Sequence, residues 1–466
     1  MKRNFTFLLL CLCVFFAHAQ QISQTTAVIN GCAKGAENRV ARLYLEDAIT
    51  KFQWKIDEQP IGNDGCFVLT AEIPQTQKAF IKIDFYQTYI FLEPTRVYNI
   101  TFDEFDFRID ERINPFRLDQ FLSYRFDEPD SNELNRLIWR FENMFDEFLK
   151  RHLLFQEVDA VTRELYINFR NQVRSTFAFS GHGYFNDYLT YALADMERIF
   201  NLTSPANLFL RHIQDKPILY NNEAYADFIT EYYSGYFPFS IRYNRNVFVD
   251  QINRADNLTA IMDSLGRDTT LQNEKLREFV FLLGLRELYN SPEFSNSSIL
   301  RLLLDIQSTT KFPEHAKLVD FIIQKLQRFE SGINKANFKF WDPVRNIPYD
   351  FSESSKFKYV IFVNGLCESC EMEISIMRGI AENLSHSVDF YIVNCDYEVN
   401  RALRNMPRDL GKITYLHFNR DFETLEKLGI VDFPIAVWLD SENIIQSYYF
   451  LLPSRRAERA IQQLFR

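Results

Sequence analysis

The sequence is short of three things, and each shortage excludes a class of protein. Cysteine is scarce, with seven in 466 residues, too few for a scaffold built from disulfides, so their positions matter more than their number. Positive charge is not in excess: 52 Lys and Arg against 62 Asp and Glu give a formal charge of −10. A protein that holds nucleic acid or an anionic membrane needs a basic surface to neutralise phosphate, and this balance argues against both. Long hydrophobic runs are also missing; the one apolar stretch, at the N-terminus, is too short for a spanning helix. What is plentiful is aromatic side chain. Phe, Tyr and Trp make up 16% of the chain and hydrophobic residues 47%, which excludes a disordered chain. At roughly 150 residues per domain, the length predicts about three domains.

The first nineteen residues have the form of an export signal. Lys2 and Arg3 precede the apolar run Phe5 to Ala17, and Ala17-His18-Ala19 offers small residues for cleavage before Gln20. Leu10 is too large for a lipoprotein cleavage site before Cys11, so no stable membrane anchor is expected. Removal of residues 1–19 takes away Lys2, Arg3, Cys11 and Cys13, which brings the charge to about −12 and leaves Cys32, Cys66, Cys367, Cys370 and Cys395. In an oxidising periplasm or cell envelope, thiols close in space pair. Cys32 and Cys66 each follow a glycine at a strand edge and are expected to form a disulfide, with two distant free thiols as the alternative.

The remainder divides by texture. Residues 20–127 alternate in short runs punctuated by Gly62-Asn63-Asp64-Gly65, Pro74 and Pro94, the pattern of an antiparallel β-sandwich. No cluster in it looks catalytic. Residues 128–332 take a helical period, as in Leu134, Leu137, Ile138, Phe141, Met144, Phe145 and Phe148, and predict an all-α domain. Its aromatic and basic mixture, from Tyr232 to Phe239 and Arg242, is read as core packing ahead of a groove for an unfolded chain. Residues 333–466 alternate strand and helix and close with a hairpin and a helix, an α/β layer.

Where the first strand of that layer meets its helix stands Cys367-Glu368-Ser369-Cys370. A Cys-x-x-Cys motif in this context reads as a redox pair, because the first thiol sits at a helix N-terminus whose free N–H groups stabilise a thiolate. Cys367 is then the attacking thiol and Cys370 the resolving one. A static disulfide and half of a metal site are the alternatives; zinc needs about four ligands, yet there is no second Cys-x-x-Cys, and His386 and His417 stand alone. No metal or cofactor is expected.

Strand, Cys-x-x-Cys, helix, and Phe433-Pro434 before a terminal hairpin together resemble a thioredoxin fold. Within it, Phe338-Lys339-Phe340-Trp341-Asp342, Glu373 and Asp432-Phe433-Pro434 are most similar to the TlpA/ResA-like thiol-disulfide oxidoreductases of the bacterial envelope. The resemblance covers about residues 334–466. It implies protein thiols and disulfides as partners, a membrane electron donor, and a cis peptide at Pro434 beside the cysteines. Leu366, Ser369 and Ile374-Ser375 depart from the residues usual in that family and bear on partner choice and potential.

Ile361 stands where many thioredoxins bury an aspartate, so the proton-handling carboxylate must come from elsewhere. Glu373, three residues past Cys370 and on the same helix face, is the candidate, with a solvated surface glutamate as the alternative. Cys395 is read as packing. The acidic neighbours Glu368, Glu371 and Glu373 disfavour a thiolate, which predicts a reductant of protein disulfides rather than a strong oxidant. The rival reading is an envelope scaffold or binding protein whose cysteine pair is vestigial.

Overall fold

The computed structural model describes residues 25–103, 120–152, 160–237, 245–255, 257–365, 367–430 and 432–465. The export signal, Phe239, Arg242 and Leu366 lie outside them.

Nine strands come first: β1 (Thr26–Cys32), β2 (Val40–Glu46), β3 (Gln53–Pro60), β4 (Cys66–Glu72), β5 (Gln77–Ile83), β6 (Tyr86–Leu92), β7 (Val97–Phe102), β8 (Gln120–Phe121) and β9 (Tyr124–Phe126). They form two sheets, ordered β4-β1-β7-β9 and β3-β2-β5-β6-β8, and both contribute to one core that includes Leu43, Leu69, Ile81 and Ile100. The alternation in β4, with Phe67, Leu69 and Ala71 buried between exposed neighbours, is the half-buried strand pattern read from the sequence.

The expectation of an antiparallel sandwich needs correction in two places. β1 runs parallel to β7, and β6 runs parallel to β8. β1 lies between its antiparallel partner β4 and β7, a strand that arrives only after the chain has crossed to the other sheet, so the return direction is not set by a hairpin. Strand β3 was not expected. It is an edge strand rich in Lys55, Asp57 and Glu58 and ending at Pro60, and such residues guard an edge at the expense of apolar alternation.

Ten helices follow: α1 (Leu134–His152), α2 (Ala160–Thr176), α3 (Gly183–Ile199), α4 (Pro205–His212), α5 (Glu223–Tyr232), α6 (Arg245–Arg254), α7 (Leu258–Leu265), α8 (Glu274–Leu288), α9 (Asn296–Thr309) and α10 (Pro313–Leu326). The short α4, α6 and α7 are not apparent from periodicity. Local chemistry marks two of them: the Ser204 side chain caps α4 with Pro205 in its first turn, and Asn257 caps α7. Tyr233 and Phe237 are buried in the helical core, in line with the packing reading of that aromatic cluster. The same core takes in Ala48, Ile49 and Phe91, so the helices pack on the β region rather than beside it.

The last layer holds β10 (Trp341–Asp342), β11 (Ile347–Pro348), β12 (Phe357–Val363), α11 (Glu368–Leu384), β13 (Val388–Asn394), α12 (Val399–Arg404), β14 (Ile413–His417), α13 (Phe422–Lys427), β15 (Ile435–Leu439), β16 (Ile445–Phe450) and α14 (Ala457–Leu464). Its sheet order is β11-β10-β14-β13-β12-β15-β16. The lead-in residues Trp341 and Asp342 thus extend the sheet, with Trp341 opposite His417. Strands β12, β13 and β14 are parallel, and β15 is antiparallel to β12. β12 is central and wholly apolar after Lys358, as a strand covered on both faces must be. Two cores result: one holds Phe340, Phe362, Val393 and Leu416, the other Ile361, Met377, Ile392 and Trp438.

Candidate active site at the end of the central strand

Topology brings the sequence-predicted residues together. The loop after β12 leaves the sheet at the C-terminal end of a parallel strand, where such folds place their sites, and Cys367 is the N-cap residue of α11. β15 runs the opposite way, with Ile435 opposite Phe362, so Pro434 meets β12 where the cysteine loop departs. The Phe433–Pro434 peptide is cis, and Phe433 and Cys367 pack on the core cluster that contains Cys370.

Cys367 and Cys370 are joined in a disulfide. The two sulfurs sit in different surroundings: Cys367 is half-buried, whereas Cys370 is 3% exposed. Glu368 and Glu371 occupy the first turn of α11 and face solvent. A cavity of about 410 Å³ opens beside the pair, between α11 and residues 404–410, and is lined by Ile374, Arg378, Arg404, Met406 and Leu410 among others.

Glu373 is not the solvated glutamate of the alternative reading. It is 3% exposed, and its carboxylate accepts from the Ser454 amide at 2.8 Å and from the Ser454 hydroxyl at 2.5 Å. Burial first, and the Glu373 charge second, push the Tyr359 hydroxyl well above its ordinary range, so that ring is a neutral donor to the Leu451 carbonyl. The expectation that Glu373 crowds the thiols needs qualifying, since its oxygens are committed to the turn after β16. Arg378 is tied to Asp409 at 3.2 Å.

Cys395 is buried and outside any disulfide, its thiol donating to the Val393 carbonyl at 3.8 Å. Burial pushes its thiol well above the ordinary range, which suits packing and not exchange. His417 donates Nε2–H to the Asp396 carbonyl and accepts at Nδ1 from the Asn419 amide. Burial lowers its pKa, and both contacts fit a neutral ring. Among the described residues, no group of three His, Cys, Asp or Glu could hold a metal ion, and no helix is long and apolar enough to cross a membrane.

Sequence reasoning missed the residues behind the cysteine loop. Asp396, just past β13, is 2% exposed and takes the Gly365 amide at 3.0 Å; Asn394 and Asn405 each donate to its other oxygen at 2.9 Å. The signal was there, since Asp396 follows the strand next to β12 in a parallel sheet. It could be read only once the strand order was known.

No protein-family model matches the chain, and no curated protein does. Among the solved structures similar to it is the thioredoxin domain of a thiol-disulfide oxidoreductase from Bacteroides vulgatus, 15% identical over 29% of this chain and 100% of that one, with a TM-score of 0.25. A thiol:disulfide interchange protein from Bacteroides sp. is 15% identical over 29% of this chain and 90% of that one, TM-score 0.26. A thioredoxin-like protein from Bacteroides caccae is 14% identical over 59% of this chain and 91% of that one, TM-score 0.28. Likeness this low leaves the function to rest on the geometry of the site.

Proposed function

We propose that the chain is an exported thiol-disulfide oxidoreductase of the bacterial envelope, a reductant of protein disulfides, whose residues 333–466 form a thioredoxin-like domain behind a β-sandwich (20–127) and a helical domain (128–332). The observation that carries this reading is the asymmetry of the pair. One cysteine is half-buried at a helix N-terminus and the other is 3% exposed in the core, with the cavity beside both. A static staple has no need of that arrangement; a two-step exchange does.

In the reduced form, the Cys367 thiolate attacks one sulfur of a client disulfide. A mixed disulfide forms and the first client thiolate leaves. Cys370 then loses its proton and attacks Cys367 Sγ; the intramolecular disulfide forms and the second client thiolate leaves. Two electrons pass to the client, and a membrane donor restores the dithiol. Glu373, one helical turn past Cys370, is the acceptor we assign to the Cys370 proton. Solvent-facing Glu368 and Glu371 oppose the thiolate that the helix end favours, and that opposition suits a reductant rather than a strong oxidant.

The test is reduction of insulin disulfides by the chain from Gln20 onward, supplied with dithiothreitol. Wild type should turn over and Cys367→Ser should fall to background. Equal rates for the two would leave the scaffold reading standing. Equilibration against glutathione buffers tests direction: a pair that stays reduced where ordinary thioredoxins are oxidised would overturn the reductant assignment.

A further inference from the structure

The loop that carries Cys367 runs from the end of β12 to the start of α11. Its Cys367 amide bonds back to the Asn364 carbonyl at 3.0 Å, a turn within the loop. A tie from the loop to the neighbouring strand is made by Asp396. The ladder between β12 and β13 runs on one residue past β13, since the Cys395 amide donates to the carbonyl of Val363, the last residue of β12, at 2.8 Å. This sets Asp396 opposite the departing loop, where its Oδ1 accepts the Gly365 amide, two residues before Cys367.

Asp396 is itself held from three sides. Asn394 on β13 and Asn405 at the end of α12 donate to Oδ2, and Arg401 on α12 brings Nε within 3.6 Å of Oδ1. Its backbone amide donates to Asn394 Oδ1, and its carbonyl accepts from His417 on β14. A buried carboxylate with this many donors costs far less to bury than a lone one, and it stays in one place. Gly365 completes the fit, because a Cβ there would lie 1.9 Å from Asn405 Nδ2 and 2.8 Å from Asp396 Oδ2. Only glycine lets the loop lie this close to the clamp.

We infer that Asp396, held by Asn405 and Arg401, is the positioning residue that keeps Cys367 at the N-terminus of α11. This rests on Cys367 being the attacking thiol. Asp396 touches neither sulfur and takes no part in the exchange; it acts through the Gly365 amide. A thiol held at a helix end has its thiolate stabilised there, and one that wanders loses that help.

The inference is tested on the chain from Gln20 in a Cys370→Ser background, by following iodoacetamide alkylation of the Cys367 peptide across pH by mass spectrometry. Asp396→Ala should move the profile toward that of an ordinary thiol, with about a tenfold slower reaction at pH 7 for a one-unit rise in thiol pKa. Asp396→Asn keeps an acceptor for the Gly365 amide but turns an amide NH2 toward the Asn394 and Asn405 donors, so it should restore the rate only in part. Gly365→Ala, which disturbs the clamp from the other side, should shift the profile in the same sense as Asp396→Ala. An unchanged profile in Asp396→Ala would overturn the inference, with a lowered melting temperature then marking a purely structural residue. An unshifted profile in Gly365→Ala would also overturn it. The profile is read without any client, so absent insulin reduction would sink the oxidoreductase reading while leaving this result to be judged separately.

Discussion

Among the described residues the molecule holds two disulfides, and they are built in opposite ways. Cys32 and Cys66 lie directly opposite each other on antiparallel strands β1 and β4, 34 residues apart, both half-buried. Cys367 and Cys370 are three residues apart on one helical turn, one reachable and one sealed. A bridge across a long loop removes much freedom from the unfolded chain; a bridge across three residues removes little. The first is suited to holding a fold, and the second can open and close at small cost to it. Redox compartment alone does not separate them, since an oxidising one would favour both pairs alike. Their place in the fold does.

The largest expected effect breaks the comparison if it fails. Cys367→Ser should abolish insulin reduction, and Cys370→Ser should accumulate mixed disulfides with client proteins, because attack proceeds and release cannot. The double variant Cys32→Ser/Cys66→Ser should leave the rate per folded molecule unchanged. Equal trapping by Cys367→Ser and Cys370→Ser, seen on non-reducing gels, would overturn the assignment of attacking and resolving thiol.

Stability should show the converse. On the chain-entropy account, loss of Cys32–Cys66 costs about 3–4 kcal/mol, whereas loss of the three-residue bridge costs less than half of that. Urea titrations followed by probes in the β region and in the last layer measure both. A larger loss from the Cys367–Cys370 pair would mean that it is the staple.

A third and smaller effect concerns release. If Glu373 takes the Cys370 proton, Glu373→Gln should slow decay of the mixed disulfide about tenfold or more while leaving its formation unchanged. Ser454→Ala frees one carboxylate oxygen and serves as the control for altered geometry. Equal slowing of formation and decay in Glu373→Gln would assign the residue to holding the turn after β16.

How much of this was legible beforehand differs between the two pairs for a physical reason. The Cys-x-x-Cys motif is local: its spacing, strand and helix all fall within about 25 residues, and periodicity and capping rules act at that range. Cys32–Cys66 was legible only as two glycine-preceded cysteines, because its pairing depends on strand register. Asp396 and Asn405 were invisible for the same cause, being 31 and 40 residues past Gly365. Strand β3 hid because charged residues on an edge leave no apolar alternation to count. The parallel β1–β7 pair hid because nothing local reports which sheet a strand will join. The burial of Glu373 follows from Ser454, 81 residues away, and no helical wheel could have shown it.

The smallest effect lies at the junction between the regions that carry the two disulfides. Helix α13 of the last layer lies against the β region, with Glu423 bonded to Lys55 of β3 at 2.6 Å and Glu426 to Lys82 of β5 at 2.6 Å, while Phe422 packs edge-on to Phe85. Burial alone would raise the Glu423 carboxyl, but hydrogen bonds from Lys427 and Lys55, with their charges, outweigh it and lower the group to about 2. A folded-state pKa below the ordinary 4.5 means that the contribution is fully present above about pH 4.5 and is lost as pH falls toward 2. Because the pair is partly solvated, the effect should be modest, about 0.2–1 kcal/mol. Glu423→Gln should therefore lower the melting temperature by a degree or two at pH 6 and by nothing as pH approaches 2, with insulin reduction at pH 7 unaltered. A decrement that stays the same at both ends of that range would show that shape, and not charge, joins the stapled half of the molecule to the reactive one.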